Sequence, residues 1–183
     1  LLEIATGEYL ARMDSDDIAA PDRFEKQKSF LQENLDVDII GGQITEFIDV
    51  ESNIIGLRNV PLLSADINVY IKDRCPFNHM TVMFRKDKIL SVGNYIDWHY
   101  NEDYYLWIRL FLAGCQFANL PEVLVNVRVG KEMYQRRGGW KYFLSEAKLQ
   151  KYMFDNNIIG IIRFAYNIFG RFVIQVLMPN KLR

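Results

Sequence analysis

Two short acidic runs carry the residue types that could do chemistry. The first is Asp14-Ser15-Asp16-Asp17, three aspartates in four positions, and the second is Glu102-Asp103. Close carboxylates repel and raise one another's pKa unless a positive charge neutralises them. A hard divalent cation, Mg2+ or Mn2+, is the usual answer, because it takes one or two carboxylates and completes its shell with substrate phosphate oxygens. The bland alternative for the first run is a solvated turn in which Asp16 or Asp17 caps the next helix. For Glu102-Asp103 it is acids in a first helical turn, where they favour the helix dipole by roughly 0.3 to 1 kcal/mol.

The elements around these runs suggest how they are held. Tyr9 to Met13 is short and fairly apolar, a strand that delivers the aspartates at its C-terminal end, where open α/β sheets bind ligands. Pro21 is placed to open a helix through about Asn34, with Phe24, Gln27, Phe30 and Leu31 at helical spacings. Val37 to Gly42 is a strand candidate whose glycines permit a turn or a close backbone approach. Further helices are expected over 64–72 with Ser64 as N-cap, over 102–113 with Gly114 as the stop, and over about 140–156. Strands are expected over 80–85 and 123–127, which makes an α/β protein with mixed strands. The first residues, Leu1 to Gly7, look like the last turn of a helix, so the chain is expected to begin inside a domain.

Composition bounds the partners. At 183 residues, half of them hydrophobic, the chain can bury a sizeable core. Its 22 basic and 23 acidic residues nearly cancel, so no global field favours nucleic acid. Cys75 and Cys115 show no metal spacing and are expected to be reduced, as in a cytoplasmic protein.

The run Ala5-Thr6-Gly7-Glu8-Tyr9-Leu10-Ala11-Arg12-Met13-Asp14-Ser15-Asp16-Asp17, followed by Pro21-Asp22-Arg23-Phe24-Glu25-Lys26-Gln27, closely resembles the D-x-D segment of glycosyltransferase family 2. Asn101 to Leu110 resembles the same family's E-D-Y-D-L-W-[IL]-R-L motif, with Tyr105 where the family carries a second aspartate. Cys75 to Arg85 resembles its N-x-[IV]-x-H-x-[ST]-[VA]-M-[FI]-R segment. The resemblance implies a GT-A fold, a mixed sheet flanked by helices, and inverting transfer of a sugar from a nucleotide-diphosphate donor, expected to be UDP-linked, to a hydroxyl of a glycan or lipid-linked acceptor in cell-surface polysaccharide biosynthesis. It further implies that Asp14 contacts the nucleoside side and Asp16 binds the Mn2+ or Mg2+ on the diphosphate, with Asp17 beside them. Asp103 would then be the general base, supported by Glu102.

Supporting residues follow from the same resemblance and from residue type. His79 could bond a sugar or phosphate, and Trp98 and Tyr100 could stack on a sugar ring; a satisfied loop histidine and core aromatics are the alternatives. Arg136 and Arg137 could close over the diphosphate or form a plain basic loop. Glycosyltransferase residues are expected over 1–157, lacking the family's N-terminal β-α-β unit for the nucleotide. An amphipathic helix and basic tail are expected over 158–183. There Arg163, Asn167, Arg171 and Gln175 trace a polar stripe, with Pro179 ending the helix and Lys181 and Arg183 available to anionic lipid at the inner face of the cell membrane. Packing of that helix on the catalytic domain or a partner subunit is the alternative. A truncated, catalytically incompetent binding or membrane-associated module is the rival to an active enzyme.

Overall fold

A computed structural model describes residues 2–130 and 138–178. The chain divides into two compact units, one formed by the residues up to Tyr95 with Leu106–Val129 and one by Ile96–Tyr105 with the residues from Gly130 onward.

The first unit is built on a six-stranded mixed sheet. Its strands are β1 (Tyr9–Ala11), β2 (Ile18–Ala19), β3 (Ile39–Phe47), β4 (Ile54–Arg58), β5 (Met83–Arg85) and β6 (Phe117–Arg128), in the order β1-β5-β3-β6-β2 with β4 on β3. Only β3 and β6 run parallel; the other pairs are antiparallel. The register between β3 and β6 shifts around Gln43, where Gly42 faces Leu120 and Gln43 faces Val123. Pro121 and Glu122 fall in the gap and are exposed; a proline cannot donate to the ladder, so the strand bulges there and the sheet curls. Beyond the bulge β6 picks up β2, pairing Ile18 with Asn126.

Helices α1 (Arg23–Glu33), α2 (Ser64–Tyr70), α3 (Lys86–Ser91) and most of α4 (Glu102–Leu112) flank this sheet. The core is apolar and closely packed: Phe77 meets Trp107 and Phe117 edge-on, and Leu31, Ile39, Ile40 and Phe84 are buried with them. Gly114 ends α4 as expected, at φ +79°, with the Cys115 N–H returning to the Leu110 carbonyl.

Three local expectations differ from what is observed. Leu2 to Gly7 form no helix; the Lys86 ammonium donates to the Ala5 carbonyl at 2.6 Å, holding the segment open where a single turn has no cooperative support. Ser64 is the first helical residue rather than the cap, and its hydroxyl donates to Gln116 Oε1 at 3.2 Å. The segment expected as a strand from Met80 begins with a 3₁₀ turn, His79–Thr81.

The second unit holds the start of α4 and an antiparallel pair of helices, α5 (Trp140–Asp155) and α6 (Ile161–Phe172), the latter continued by a π turn at Val173–Leu177. The amphipathic helix expected here is present, but its polar stripe is turned inward. Arg171 Nε bonds Glu146 Oε2 at 2.5 Å, Asn167 Nδ2 donates to Gln150 Oε1 at 2.9 Å, and the Gly139 N–H reaches the Gln175 carbonyl at 2.8 Å. Asn167 is buried because α5 offers Gln150 as a polar partner, a pairing that no single-helix pattern reveals. Among the described residues, no helix is long and apolar enough to cross a membrane.

Candidate functional site

The acidic turn follows directly from β1. Asp14 to Asp17 form a tight turn, with the Asp17 N–H toward the Asp14 carbonyl at 3.4 Å, before the chain enters β2. The three carboxylates meet different surroundings. Asp14 is held by the Arg12 fork, at 2.7 Å from Nη1 and 2.6 Å from Nη2, a bidentate pair about one third exposed. Asp16 is exposed and its carboxylate makes no bond among the described residues. Asp17 is half-buried: its Oδ1 accepts the Arg128 N–H at 3.0 Å, and its Oδ2 is buried with no partner. Burial raises the Asp17 carboxyl above the ordinary aspartate range, the Arg128 N–H opposes the rise, and Asp14 and Asp16 add to it.

A divalent cation fits this arrangement. An exposed carboxylate next to a buried oxygen that lacks a partner offers the one or two protein ligands that Mg2+ or Mn2+ takes when phosphates supply the rest. A closed protein cage does not occur: among the described residues no group of three His, Cys, Asp or Glu side chains is arranged for a metal.

Residues beyond the acidic run hold the turn, and sequence reasoning did not assign them this work. Arg23, fully buried on α1, donates from Nη2 to the Arg12 carbonyl at 2.8 Å and from Nε to Gln27 Oε1 at 3.0 Å. Gln27 in turn donates to the carbonyls of Thr81 (2.8 Å) and Ile40 (3.2 Å). Burial first, and Arg12 second, press the Arg23 guanidinium down to about 10. From the far end of the sheet Arg128 also reaches the Asp16 carbonyl at 3.3 Å and the Asp49 carbonyl at 2.6 Å. The signal for Arg23 and Gln27 was present as charged and polar residues at i and i+4, on the helix face that also buries Leu31.

The glycines of β3 serve the close approach they allowed. Gly42 accepts from Asn78 Nδ2 at 2.9 Å and donates to the Thr81 hydroxyl at 3.0 Å, while a Cβ on Gly41 would lie 2.4 Å from Asn119 Oδ1. This clamp fixes the turn that carries His79. The His79 ring is nearly enclosed, bonding the Tyr95 hydroxyl at 2.8 Å and meeting Trp107 edge-on. Burial, with Arg12 adding and Asp14 opposing, pushes it down to about 3, so the imidazole is neutral at physiological pH.

The second unit places the other candidates around the start of α4. The Tyr105 N–H closes the first helical bond onto the Asn101 carbonyl at 2.9 Å, and buried Asn101 donates to the Ser145 hydroxyl. Glu102 is exposed and Asp103 is half-buried, its Oδ1 accepting the Tyr104 N–H at 2.7 Å. Trp98 is largely covered, with Tyr105 at 4.2 Å, the Lys148 ammonium 4.5 Å from the ring centroid and its own N–H on the Ser145 carbonyl. Tyr105 lies between Trp98 and Tyr152, which gives the aromatic at this family-aspartate position a packing role. Tyr100 is the exposed aromatic, held at φ +57°, a conformation seldom adopted by a bulky residue and often stored at functional sites. Arg136, Arg137, Pro179, Lys181 and Arg183 lie outside the described residues.

A family model described as glycosyl transferase family group 2 matches residues 9–177. The chain belongs to that family. Family relatives agree: the amylovoran biosynthesis glycosyltransferase AmsE of Erwinia amylovora is 41% identical over 181 residues, 99% of this chain and 67% of its own. The UDP-Gal:alpha-D-GlcNAc-diphosphoundecaprenol beta-1,3-galactosyltransferase of Escherichia coli is 37% identical over 96% of this chain and 63% of its own. The chain therefore spans about two thirds of the length of these curated relatives. Among solved structures, the mannosyltransferase PcManGT from Pyrobaculum calidifontis, in complex with GDP-Man and Mn2+, covers 94% of this chain and 46% of its own at a TM-score of 0.53. At 15% identity that likeness is one of fold, and it agrees with the expected GT-A architecture of a mixed sheet flanked by helices.

Proposed function

We propose that this glycosyltransferase family chain serves the transfer of a sugar, with inversion, from a nucleotide-diphosphate donor to a hydroxyl of a glycan or lipid-linked acceptor in cell-surface polysaccharide biosynthesis. The observation that carries this is the Asp14–Asp17 turn, in which Asp16 is exposed and Asp17 Oδ2 is buried without a partner. Relatives support the substrate class: one is named for a UDP-Gal donor and a diphosphoundecaprenol-linked acceptor, another for amylovoran biosynthesis.

Asp16, with Asp17 beside it, would hold Mn2+ or Mg2+ against the donor diphosphate. The cation would offset negative charge gathering on the nucleoside diphosphate as it leaves. Asp14, released from the Arg12 fork, would accept bonds from the nucleoside side, and Arg12 would then be available to a phosphate oxygen. Arg136 and Arg137 are further candidates for that charge.

On the acceptor side, Asp103 takes the hydroxyl proton as the acceptor oxygen forms its bond to the anomeric carbon. The bond from that carbon to the phosphate oxygen breaks, and its electron pair leaves with the nucleoside diphosphate. Glu102, one residue earlier and exposed, orients the acceptor, and Tyr100 offers the sugar an aromatic face. His79, neutral and bonded to Tyr95, is held against Trp107 and takes no proton in the transfer.

The test is a panel of UDP- and GDP-sugars with Mn2+ and a polyprenyl-diphosphate-sugar acceptor, with products read by mass. One donor should extend the acceptor by one sugar, and Asp16→Ala should stop it without altering the circular dichroism. Undiminished turnover in Asp16→Ala would remove the assigned role from this turn.

A further inference from the structure

Helix α6 meets α5 partly through polar side chains and leaves an apolar side uncovered. Arg171 meets Glu146 and Asn167 meets Gln150, and both acceptor residues on α5 are buried, while Lys141, Lys148, Lys151 and Asp155 of α5 are exposed. On α6 Ile162 is 84% exposed, Tyr166 76% and Phe169 68%, in one stripe at helical spacing. Leu177 extends the stripe through the π turn, and Trp140 and Leu144 of α5 are exposed as well. A contiguous outward apolar surface of this kind marks a binding face.

We propose that this face lies in the plane of an anionic lipid surface, with α6 sunk to the depth of the acyl boundary. Three observations favour lipid over a second protein. The apolar stripe of α6, with Lys141, Lys148 and Lys151 of α5 exposed in the same unit, is the amphipathic pattern of a helix lying in the plane of a lipid surface. The segment from Trp140 to Met178 carries five basic and two acidic residues, a net +3 in a chain of net −1, which complements anionic headgroups. Tyr166 and Trp140 carry the amphipathic rings that favour the headgroup level. The 12 residues of α6 and 5 of the π turn reach about 25 Å at 1.5 Å each. That is short of the ~30 Å hydrocarbon core, so the helix lies on the membrane rather than through it.

The experiment is co-sedimentation of the 183-residue chain with phosphatidylethanolamine vesicles containing about one third phosphatidylglycerol, beside vesicles of phosphatidylcholine alone. The chain should pellet with the anionic vesicles and weaken as salt is raised. Ile162→Gln with Phe169→Gln should weaken vesicle binding by at least about tenfold, with circular dichroism unchanged because both side chains are exposed. Leu57→Gln, exposed on β4 of the other unit, should leave binding as it was. A chain that stays in the supernatant, or a double variant that binds like the parent, overturns the proposal. So does a dimer in sedimentation velocity that the double variant dissolves while vesicles are ignored. No nucleotide sugar enters these measurements, so vesicle binding without sugar transfer would count against the transferase reading and not against this one.

Discussion

Arg23 Nη2 donates to the main-chain carbonyl of Arg12 at 2.8 Å, two residues ahead of Asp14, so a fully buried guanidinium on α1 holds the strand end from which the acidic turn springs. Removing the guanidinium leaves the Arg12 carbonyl and Gln27 Oε1 without their donor. Each unsatisfied buried group costs about 1 to 3 kcal/mol. Arg23→Met should lower the denaturation free energy by at least about 2 kcal/mol and reduce nucleotide-sugar affinity through a loosened Asp14–Asp17 turn, with Arg23→Lys intermediate. Equilibrium denaturation checks the first effect and calorimetry with the nucleotide the second; an unchanged denaturation midpoint in Arg23→Met would contradict the anchoring role.

The β3 glycines carry a second prediction. A Cβ on Gly41 would lie 2.4 Å from Asn119 Oδ1 and 2.9 Å from Phe77 Cδ1, both fixed in the core, so Gly41→Ala should destabilise by about 1 to 3 kcal/mol. On β4 the same change meets only the end of the Glu46 side chain at 3.2 Å, and Gly56→Ala should be close to neutral. Paired urea melts separate the two, and equal costs would count against the steric account.

His79 gives a pH dependence. Its folded value is pushed down to about 3, below the ordinary 6.5, so the unfolded chain takes up the proton first as pH falls. Stability is therefore complete above pH 6.5 and declines below it until the folded value is reached. Between pH 8 and 5.5 this one group should cost about 1.4 kcal/mol, and His79→Asn should remove that part of the slope. Denaturation midpoints of the two proteins at the two pH values test it; parallel slopes would mean that His79 is not held neutral.

Much of this was legible in the residues because the chemistry depends on local strings. The strand Tyr9–Ala11 leading into Asp14–Asp17, the helix from Glu102 to Leu112 and the stop at Gly114 all follow from short-range pattern. What was not legible depends on pairings distant in sequence. Strand β2 is two residues long and exists only because the bulged end of β6 reaches it, pairing Ile18 with Asn126. Asp17 is given no ligand role by its place in the run, yet it is the one with a buried oxygen awaiting a partner, because Arg128, 111 residues away, satisfies only the other oxygen. The inward turn of Asn167 and Arg171 has the same origin, since a polar stripe faces water until another helix supplies Glu146 and Gln150. Residue type alone leaves Trp98 either a sugar platform or a core aromatic; its contacts with Tyr105 and Lys148 leave Tyr100 as the exposed ring.

The central claim is that Asp103 takes the acceptor proton while the Asp14–Asp17 turn serves the donor, and one comparison tests it most directly. Asp103→Asn keeps the shape of the side chain and removes its basicity. Single-turnover transfer by this variant should fall by about 10² to 10⁴-fold, while calorimetry finds nucleotide-sugar affinity in Mn2+ unchanged. Transfer at the parental rate in Asp103→Asn would contradict the account.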